Sequence, residues 1–213
     1  MSPFFDRGSA VSKLVILDRD GVINEDADDF VKSVQEWLPI PGSIDAIARL
    51  CSHGFIVAVA TNQSGIGRGL FTVDTLDAMH ENLCELVQEA GGTIATIAYC
   101  PHKPEDLCDC RKPQSGLFDE IADTLGMDLA GAWVVGDSLR DLQAGLARGC
   151  LPVLVRTGKG LSTERMLDED PSILEDNPDL AQLMVCEDLA EAADLLIQQN
   201  PPDIAQEWLD DEY

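Results

Sequence analysis

Short apolar runs rich in branched residues alternate along this chain with longer stretches whose apolar positions recur every three or four residues. Leu14-Val15-Ile16-Leu17 forms the first run and is assigned as a strand. Helical spacing from Ile44 to Leu50 follows Pro41-Gly42-Ser43, with Ser43 placed to cap it, and Gly54 turns the chain into a second strand over Phe55 to Ala60. A helix over Val73 to Glu89 ends near Gly91-Gly92, and a third strand runs from Ile94 to Tyr99. Helix Gly116 to Leu125, strand Ala132 to Val135, helix Leu139 to Arg148 and strand Pro152 to Val155 complete the regular pattern. Such alternation predicts βαβ units around a doubly wound parallel sheet in an α/β fold. Leu180 to Cys186 is expected to add a strand and Leu189 to Gln198 a last helix, with Pro201 to Tyr213, Trp208 included, as a frayed acidic tail.

In doubly wound sheets ligands bind at the carboxyl ends of the strands, so the residues that follow each strand carry the functional information. Asp18 and Asp20 follow the first strand and Thr61-Asn62-Gln63-Ser64 the second, while Arg111-Lys112 lies beyond the third and Asp137 follows the fourth. In Asp18-Arg19-Asp20-Gly21 the first carboxylate can attack phosphorus and the second can protonate the leaving oxygen, then accept a proton from water. The same four residues also suit an ordinary solvated acidic turn. Asp137, in Gly136-Asp137-Ser138, supplies a further carboxylate for a hard cation, with Asp141 one turn on to orient it; a helix cap is the compatible alternative. Mg²⁺ is expected on Asp18, the backbone carbonyl of Asp20, and Asp137. Thr61 can donate to a phosphoryl oxygen, and Arg68 lies in a glycine-rich run suited to an anionic substrate. That run has no P-loop spacing.

Cys100, His102, Cys108 and Cys110 place three thiolates and an imidazole within eleven positions, a full tetrahedral set for Zn²⁺ with no position left for water, hence a structural site. Arg111 and Lys112 come directly after it, so closing the zinc loop would fix where both cations point. Lys112 can neutralise Asp18 and the transferring phosphoryl group, and Arg111 can grip a second phosphate or carboxylate. Cys51, Cys84, Cys150 and Cys186 are taken as packing residues, His53 as a surface residue and His80 as one on a helix face.

Composition narrows the partners. The 213 residues carry a formal charge of -25, which repels nucleic-acid phosphates and anionic membrane surfaces, and neither is expected as a partner. Residues 161–213 hold sixteen acidic residues against Arg165 alone. The organisation expected is therefore a core over 1–160, zinc loop 100–113 included, followed by an acidic extension over 161–213 that is partly packed on it. No apolar run approaches the roughly 20 residues of a membrane helix and no secretory core is evident near Met1, so a cytoplasmic monomer is expected.

Leu-Asp-Arg-Asp-Gly-Val-Ile-Asn (17–24), Thr-Asn-Gln-Ser-Gly-Ile-Gly-Arg-Gly (61–69), the Cys-Pro-His to Arg-Lys-Pro segment (100–113) and Val-Gly-Asp-Ser-Leu-Arg-Asp (135–141) together resemble the haloacid dehalogenase superfamily. Within it they are similar to the zinc-loop branch, which contains heptose 1,7-bisphosphate phosphatases and histidinol-phosphate phosphatases. The resemblance covers residues 14–160. It implies Asp18 as nucleophile, Asp20 as acid and base, Thr61 and Lys112 as phosphoryl stabilisers and Arg111 in substrate recognition, with Asn62, Gln63, Ser64 and the stretch from Asn24 to Asp29 lining the pocket. Ser64 with Gly65-Ile66 and Arg68 is similar to the heptose enzymes, implying a phosphorylated sugar as substrate and removal of the C7 phosphate of a heptose bisphosphate. Histidinol phosphate stands as the alternative, and a phospho-acceptor signalling module and a zinc-knuckle nucleic-acid binder as rivals from other classes. About 35 residues separate Asp20 from the second strand, too few for a large cap domain.

Overall fold

The computed structural model describes residues 13–27, 29–170, 172–173 and 177–200. Six parallel strands form one sheet in the order β3-β2-β1-β4-β5-β6, where β1 is Leu14–Leu17, β2 Ile56–Asn62, β3 Ile94–Cys100, β4 Trp133–Gly136, β5 Leu151–Val155 and β6 Met184–Cys186. The helices are α1 (Ser43–Ser52), α2 (Ser64–Gly67), α3 (Val73–Glu89), α4 (Gly116–Leu125), α5 (Leu139–Leu146), α6 (Gly160–Glu169) and α7 (Leu189–Gln199). Successive strand residues face opposite layers. Val15, Leu17, Val57, Val59, Val135 and Val153 enter one buried cluster with residues of α1, α3 and α7, while Leu14, Ile16, Ala58, Ala60 and Val134 enter another with Leu117, Phe118 and Ile121 of α4. With both faces covered, each central strand is a continuous apolar run rather than an alternating one.

The chain winds from β1 outward through β2 and β3, then returns to the other side of β1 and continues through β4 to β6. The reversal at β1 and β4 opens a crevice at their carboxyl ends, the switch point of a doubly wound sheet. The Asp18 N–H donates to Val135 O at 2.9 Å, which fixes the two strand ends side by side.

Several local expectations are corrected. Ser43 is the first residue of α1, not its cap; Gly42 occupies the cap with φ +84°, and the Ser43 hydroxyl donates to Ile23 O at 2.6 Å. Strand β2 extends through Thr61 and Asn62, so these are strand residues pairing with Tyr99 and Cys100 of β3. Ser138, not Asp137, caps α5, with its backbone N–H and hydroxyl both donating to Asp141 Oδ2, so Asp137 is left for other work. Helices α2 and α6 carry too few apolar positions to announce themselves. The late strand is shorter than expected because Pro178–Gln182 forms a 3-10 turn before β6. In the acidic segment, Cys186, Leu189, Ala192, Ala193 and Leu196 are buried in the same cluster as Val15 and Leu17, and Arg49 of α1 donates to Ala190 O and Asp194 Oδ1 of α7, both at 3.0 Å. The tail over Pro201 to Tyr213 lies outside the described residues.

Candidate active site

A cavity of about 300 Å³ opens at the switch point and is lined by Asp18, Asp20, Thr61, Asn62, Gln63, Ser64, Arg68, Arg111, Lys112 and Asp137 among others. Every strand end singled out from the sequence therefore converges on one crevice. Asn24 is the exception. It is fully buried beside the cavity, and its amide nitrogen donates to Asp20 Oδ1 at 2.9 Å and to Glu25 O at 2.8 Å, so it supports the site without facing into it.

Lys112 sits at the centre. Its ammonium has three hydrogens, and three acceptors surround it: Asp18 Oδ1 at 2.9 Å, Asp141 Oδ1 at 2.6 Å and Ala60 O at 2.7 Å. Burial works against its charge, but Asp141 and Asp18 outweigh burial and raise its pKa. Asp141 is held below the ordinary carboxylate range by Lys112 and by Ser138, against the pull of burial. Burial, the charge of Asp141 and then that of Asp137 push Asp18 up to about 8, Lys112 notwithstanding. Asp137 is raised to about 6 by burial and Asp141, although the Lys159 N–H donates to its Oδ2 at 2.8 Å.

Carboxylate oxygens of Asp18, Asp137 and Asp141 lie within 4.8 Å of one another. Both oxygens of Asp141 are occupied by Lys112 and Ser138, whereas Asp18 Oδ2 accepts no hydrogen bond among the described residues. Three buried acids against one ammonium form a site short of positive charge and rich in hard oxygens, a donor set that fits Mg²⁺. The chain approaches Asp137 on two sides through glycine. A Cβ at Gly21, where φ is +85°, would stand 2.1 Å from Asp137 Oδ2, and one at Gly158, where φ is +56°, would stand 2.2 Å from it.

Asp20 has the opposite environment. Arg19 Nη2 donates to both its oxygens at 2.8 and 2.9 Å, Arg19 Nε to Oδ1 at 3.1 Å, and Gln63 Nε2 to Oδ2 at 2.8 Å. Burial raises its pKa, but the Arg19 charge and these donors prevail and lower it. Gln63 Nε2 also donates to Thr61 Oγ1 at 2.8 Å, so the Thr61 hydroxyl hydrogen is left to point elsewhere. The Asn62 side chain grips the backbone of Lys112 from both ends, accepting from its N–H at 3.1 Å and donating to its carbonyl at 3.2 Å.

The zinc loop follows β3. Cys100 Sγ lies 3.6 Å from Cys108 Sγ and 3.2 Å from Cys110 Sγ, and His102 Nδ1 is 3.3 Å from Cys110 Sγ. A tetrahedron with arms of ~2.3 Å has edges of about 3.8 Å, so the four atoms already bracket a Zn²⁺-sized centre. Leu107, in the left-handed region with φ 47°, reverses the chain to bring Cys108 back. Gly67 N donates to Pro101 O at 3.0 Å and Arg111 Nη1 to His102 O at 3.2 Å, tying α2 and Arg111 to the loop.

Sequence reasoning did not single out Arg140, Lys159 or Phe30, which line the cavity together with Asp26 of the expected Asn24 to Asp29 stretch. Arg140 left one signal: it lies in the first turn of α5, where a helix disfavours a cation. Arg68 stacks over Phe30 at 5.9 Å, and Lys159 bonds Asp26 across the cavity mouth. Repulsion from Arg140, and more weakly Arg68, adds to burial in lowering the Arg111 pKa. Among the described residues none of these three arginines has a carboxylate within ion-pair distance, whereas Arg19, Arg49, Arg148 and Arg156 all do.

The profile of the family described as Polynucleotide kinase 3 phosphatase matches residues 13–140, and the HAD-hydrolase-like profile matches residues 109–192. The chain is 59% identical over 150 residues to the D-glycero-beta-D-manno-heptose-1,7-bisphosphate 7-phosphatase of Pseudomonas aeruginosa, covering 70% of this chain and 84% of that one. It is 50% identical over 186 residues to the enzyme of the same name from Neisseria meningitidis, covering 85% of this chain and all of the other. Among solved structures, the D,D-heptose 1,7-bisphosphate phosphatase of Bordetella bronchiseptica, complexed with magnesium and phosphate, superposes with a TM-score of 0.80 at 48% identity, covering 88% of this chain and 99% of that one. The match past residue 160 extends the shared pattern beyond the sequence reading, through β6 and into α7. With its sheet order, its strand-end carboxylates and its zinc loop accounted for, this chain belongs to the haloacid dehalogenase-like phosphatases, in the family of the D-glycero-beta-D-manno-heptose-1,7-bisphosphate 7-phosphatases.

Proposed function

We propose that this chain is a Mg²⁺-dependent phosphomonoesterase that removes the C7 phosphate of D-glycero-D-manno-heptose 1,7-bisphosphate through an aspartyl phosphate on Asp18. The observation that carries the reading is the placement of Asp18 at the switch point, between Lys112 and Asp137, in a chain 59% identical to an enzyme of that name. Asp18 Oδ2 attacks phosphorus while Lys112 and the Arg19 N–H hold Oδ1. Asp20, an ionised carboxylate in the free site, takes up a proton when the anionic phosphate binds beside it and passes that proton to the departing sugar oxygen; the same carboxylate then takes a proton from the water that opens the acyl phosphate. Thr61 directs its hydroxyl hydrogen at a phosphoryl oxygen. Because the three hydrogens of Lys112 are engaged, it stabilises the phosphoryl group chiefly through its charge and through Asp18. Mg²⁺, held by Asp18, Asp137 and the Asp20 carbonyl, supplies charge neutralisation between the anionic nucleophile and the anionic phosphate. Zn²⁺ on Cys100, His102, Cys108 and Cys110 is structural and holds Arg111 and Lys112 in place.

Arg68, Arg111 and Arg140, which among the described residues have no carboxylate within ion-pair distance, suit the second phosphate of a bisphosphate. Histidinol phosphate carries an amine where that phosphate would be, and three guanidiniums repel it. Asn62 and Gln63 line the cavity while their amides brace Lys112, Asp20 and Thr61, and Ser64 and the arginines line it beside them. None of the seven cysteines is paired in a disulfide, and no helix among the described residues is long and apolar enough to cross a membrane, which suits a reducing, cytoplasmic location.

Phosphate release with Mg²⁺ from both anomers of the heptose bisphosphate, beside histidinol phosphate, tests the reading. A kcat/KM preference of about a hundredfold or more for a heptose bisphosphate is expected. A preference for histidinol phosphate would reassign the substrate, and no release from either would return the chain to the phospho-acceptor class.

A further inference from the structure

The side chain of Arg19 has no place in the phosphatase chemistry set out above, where only its backbone N–H serves Asp18, yet it is one of the largest fully buried side chains, 1% exposed and outside the lining of the cavity. Its backbone carbonyl closes the turn after β1 by accepting from the N–H groups of Val22, Ile23 and Asn24 at 3.3, 2.8 and 3.1 Å. Its guanidinium lies outside the cavity lining and engages Asp20 through Nε and Nη2, sharing Oδ2 with the amide of Gln63. The remaining nitrogen, Nη1, lies 3.5 Å from His80 Nε2.

A guanidinium only donates, so His80 Nε2 meets it as an acceptor and the imidazole carries its proton on Nδ1. Burial first, then the Arg19 charge, lowers His80 to about 4, with Asp20 opposing weakly, so the ring is neutral in the physiological range. His80 comes from α3 and packs edge-on against Tyr99 of β3, ring centroids 6.1 Å apart. A helix and a strand thus fix the ring, the ring meets the guanidinium, and the guanidinium holds both oxygens of one carboxylate. The two planes of a bidentate pair must be nearly coplanar, which sets the rotation of Asp20 about its last bond more tightly than single bonds from Asn24 and Gln63 could.

We propose that Arg19 is a positioning residue for Asp20, and that His80 is the prop that holds Arg19 in place. The proposal rests on the reading of Asp20 as the group that protonates the leaving oxygen. Its consequence is specific to leaving-group chemistry. A sugar alkoxide needs a well-aimed proton to depart, whereas p-nitrophenolate leaves as a stable anion without one. Since kcat/KM covers events only up to departure of the leaving group, a misaimed Asp20 lowers it for the sugar phosphate and spares the aryl phosphate.

The experiment measures kcat/KM with Mg²⁺ for heptose 1,7-bisphosphate and for p-nitrophenyl phosphate in the wild-type enzyme and in Arg19→Lys, Arg19→Met, His80→Phe, His80→Gln and Asp20→Asn. Arg19→Lys and Arg19→Met are expected to lower the sugar value by on the order of a hundredfold and the aryl value by less than about threefold. His80→Phe follows in the same direction to a smaller extent, and His80→Gln, whose amide oxygen can accept from Nη1, restores most of the loss. The histidine pair keeps the test decisive should the arginine variants fail to fold. A parallel loss on both substrates, or no recovery in His80→Gln, overturns the proposal and leaves Arg19 a merely structural residue. Asp20→Asn separates this from failure of the underlying reading: if it too lacks leaving-group selectivity, Asp20 is not the acid.

Discussion

The ammonium of Lys112 lies 2.9 Å from Asp18 Oδ1 and 2.6 Å from Asp141 Oδ1, so the side chain two residues past Cys110 neutralises one carboxylate from the end of β1 and one from the first turn of α5 at once. Replacing it with methionine keeps the length and removes the charge. Lys112→Met is expected to lower kcat by on the order of 10²–10³-fold. Its melting temperature in the absence of Mg²⁺ falls as well, because two buried acids are left without their cation, and added Mg²⁺ recovers part of the loss. Steady-state kinetics and thermal melts at graded Mg²⁺ check both. A melt that does not respond to Mg²⁺ would count against the shared charge site.

The raised pKa of Asp18 makes stability depend on pH when Mg²⁺ is absent. Below the ordinary value of 3.8 the folded and unfolded chains both keep the Asp18 proton; between there and about 8 only the folded chain keeps it. Stability therefore falls as pH rises across that window, and Asp137 adds to the fall between 3.8 and about 6. Asp18→Asn should abolish turnover, keep the fold, and flatten the decline, as should saturating Mg²⁺ in the wild-type protein. Melts from pH 5 to 8 on protein dialysed free of Mg²⁺ decide it.

Gly158→Ala tests the approach of the chain to Asp137. The added carbon would stand 2.2 Å from Asp137 Oδ2 and 2.5 Å from the Gly21 backbone, and the residue sits at φ +56°. Either the loop or the carboxylate must move. Mg²⁺ activation is expected at concentrations about tenfold or more higher, with zinc content unchanged. Titration of activity with Mg²⁺ beside metal analysis separates the two metals.

Cys108→Ser removes one ligand of the structural site. Bound zinc should drop from one equivalent to near none, and kcat/KM should fall by about 10–100-fold as Arg111 and Lys112 lose their anchor. Full activity in zinc-free protein would show that Asn62, which holds the Lys112 backbone through two hydrogen bonds, suffices without the metal.

Arg140→Ala addresses the unpaired arginines. With no carboxylate partner to release among the described residues, its loss should raise KM for the bisphosphate by about tenfold with kcat nearly unchanged, and leave a sugar monophosphate unaffected. Equal effects on both substrates would place Arg140 at the reacting phosphate instead.

The sequence by itself determined the sheet and the points where chemistry attaches to it. Leu14 to Leu17 is apolar throughout because both its faces are buried; Asp18 and Asp137 follow one step past β1 and β4, Thr61 is among the last paired residues of β2, and Lys112 follows the cysteine loop that leaves β3. The zinc ligands were legible because Cys100 to Cys110 are neighbours along the chain as well as in space. What only the tertiary structure decided is which polar atoms were already taken. Gln63 meets Asp20 across 43 positions and Asn62 meets Lys112 across 50, so side chains that line the cavity also brace its charged groups, and Asn24 turns inward. Arg140 and Lys159 entered the cavity for the same reason in reverse: their place is set by where α5 and the turn after β5 come to lie against β1. Local spacing encodes the face a side chain occupies, but hydrogen bonds that span the fold are fixed only when distant strand ends are brought together.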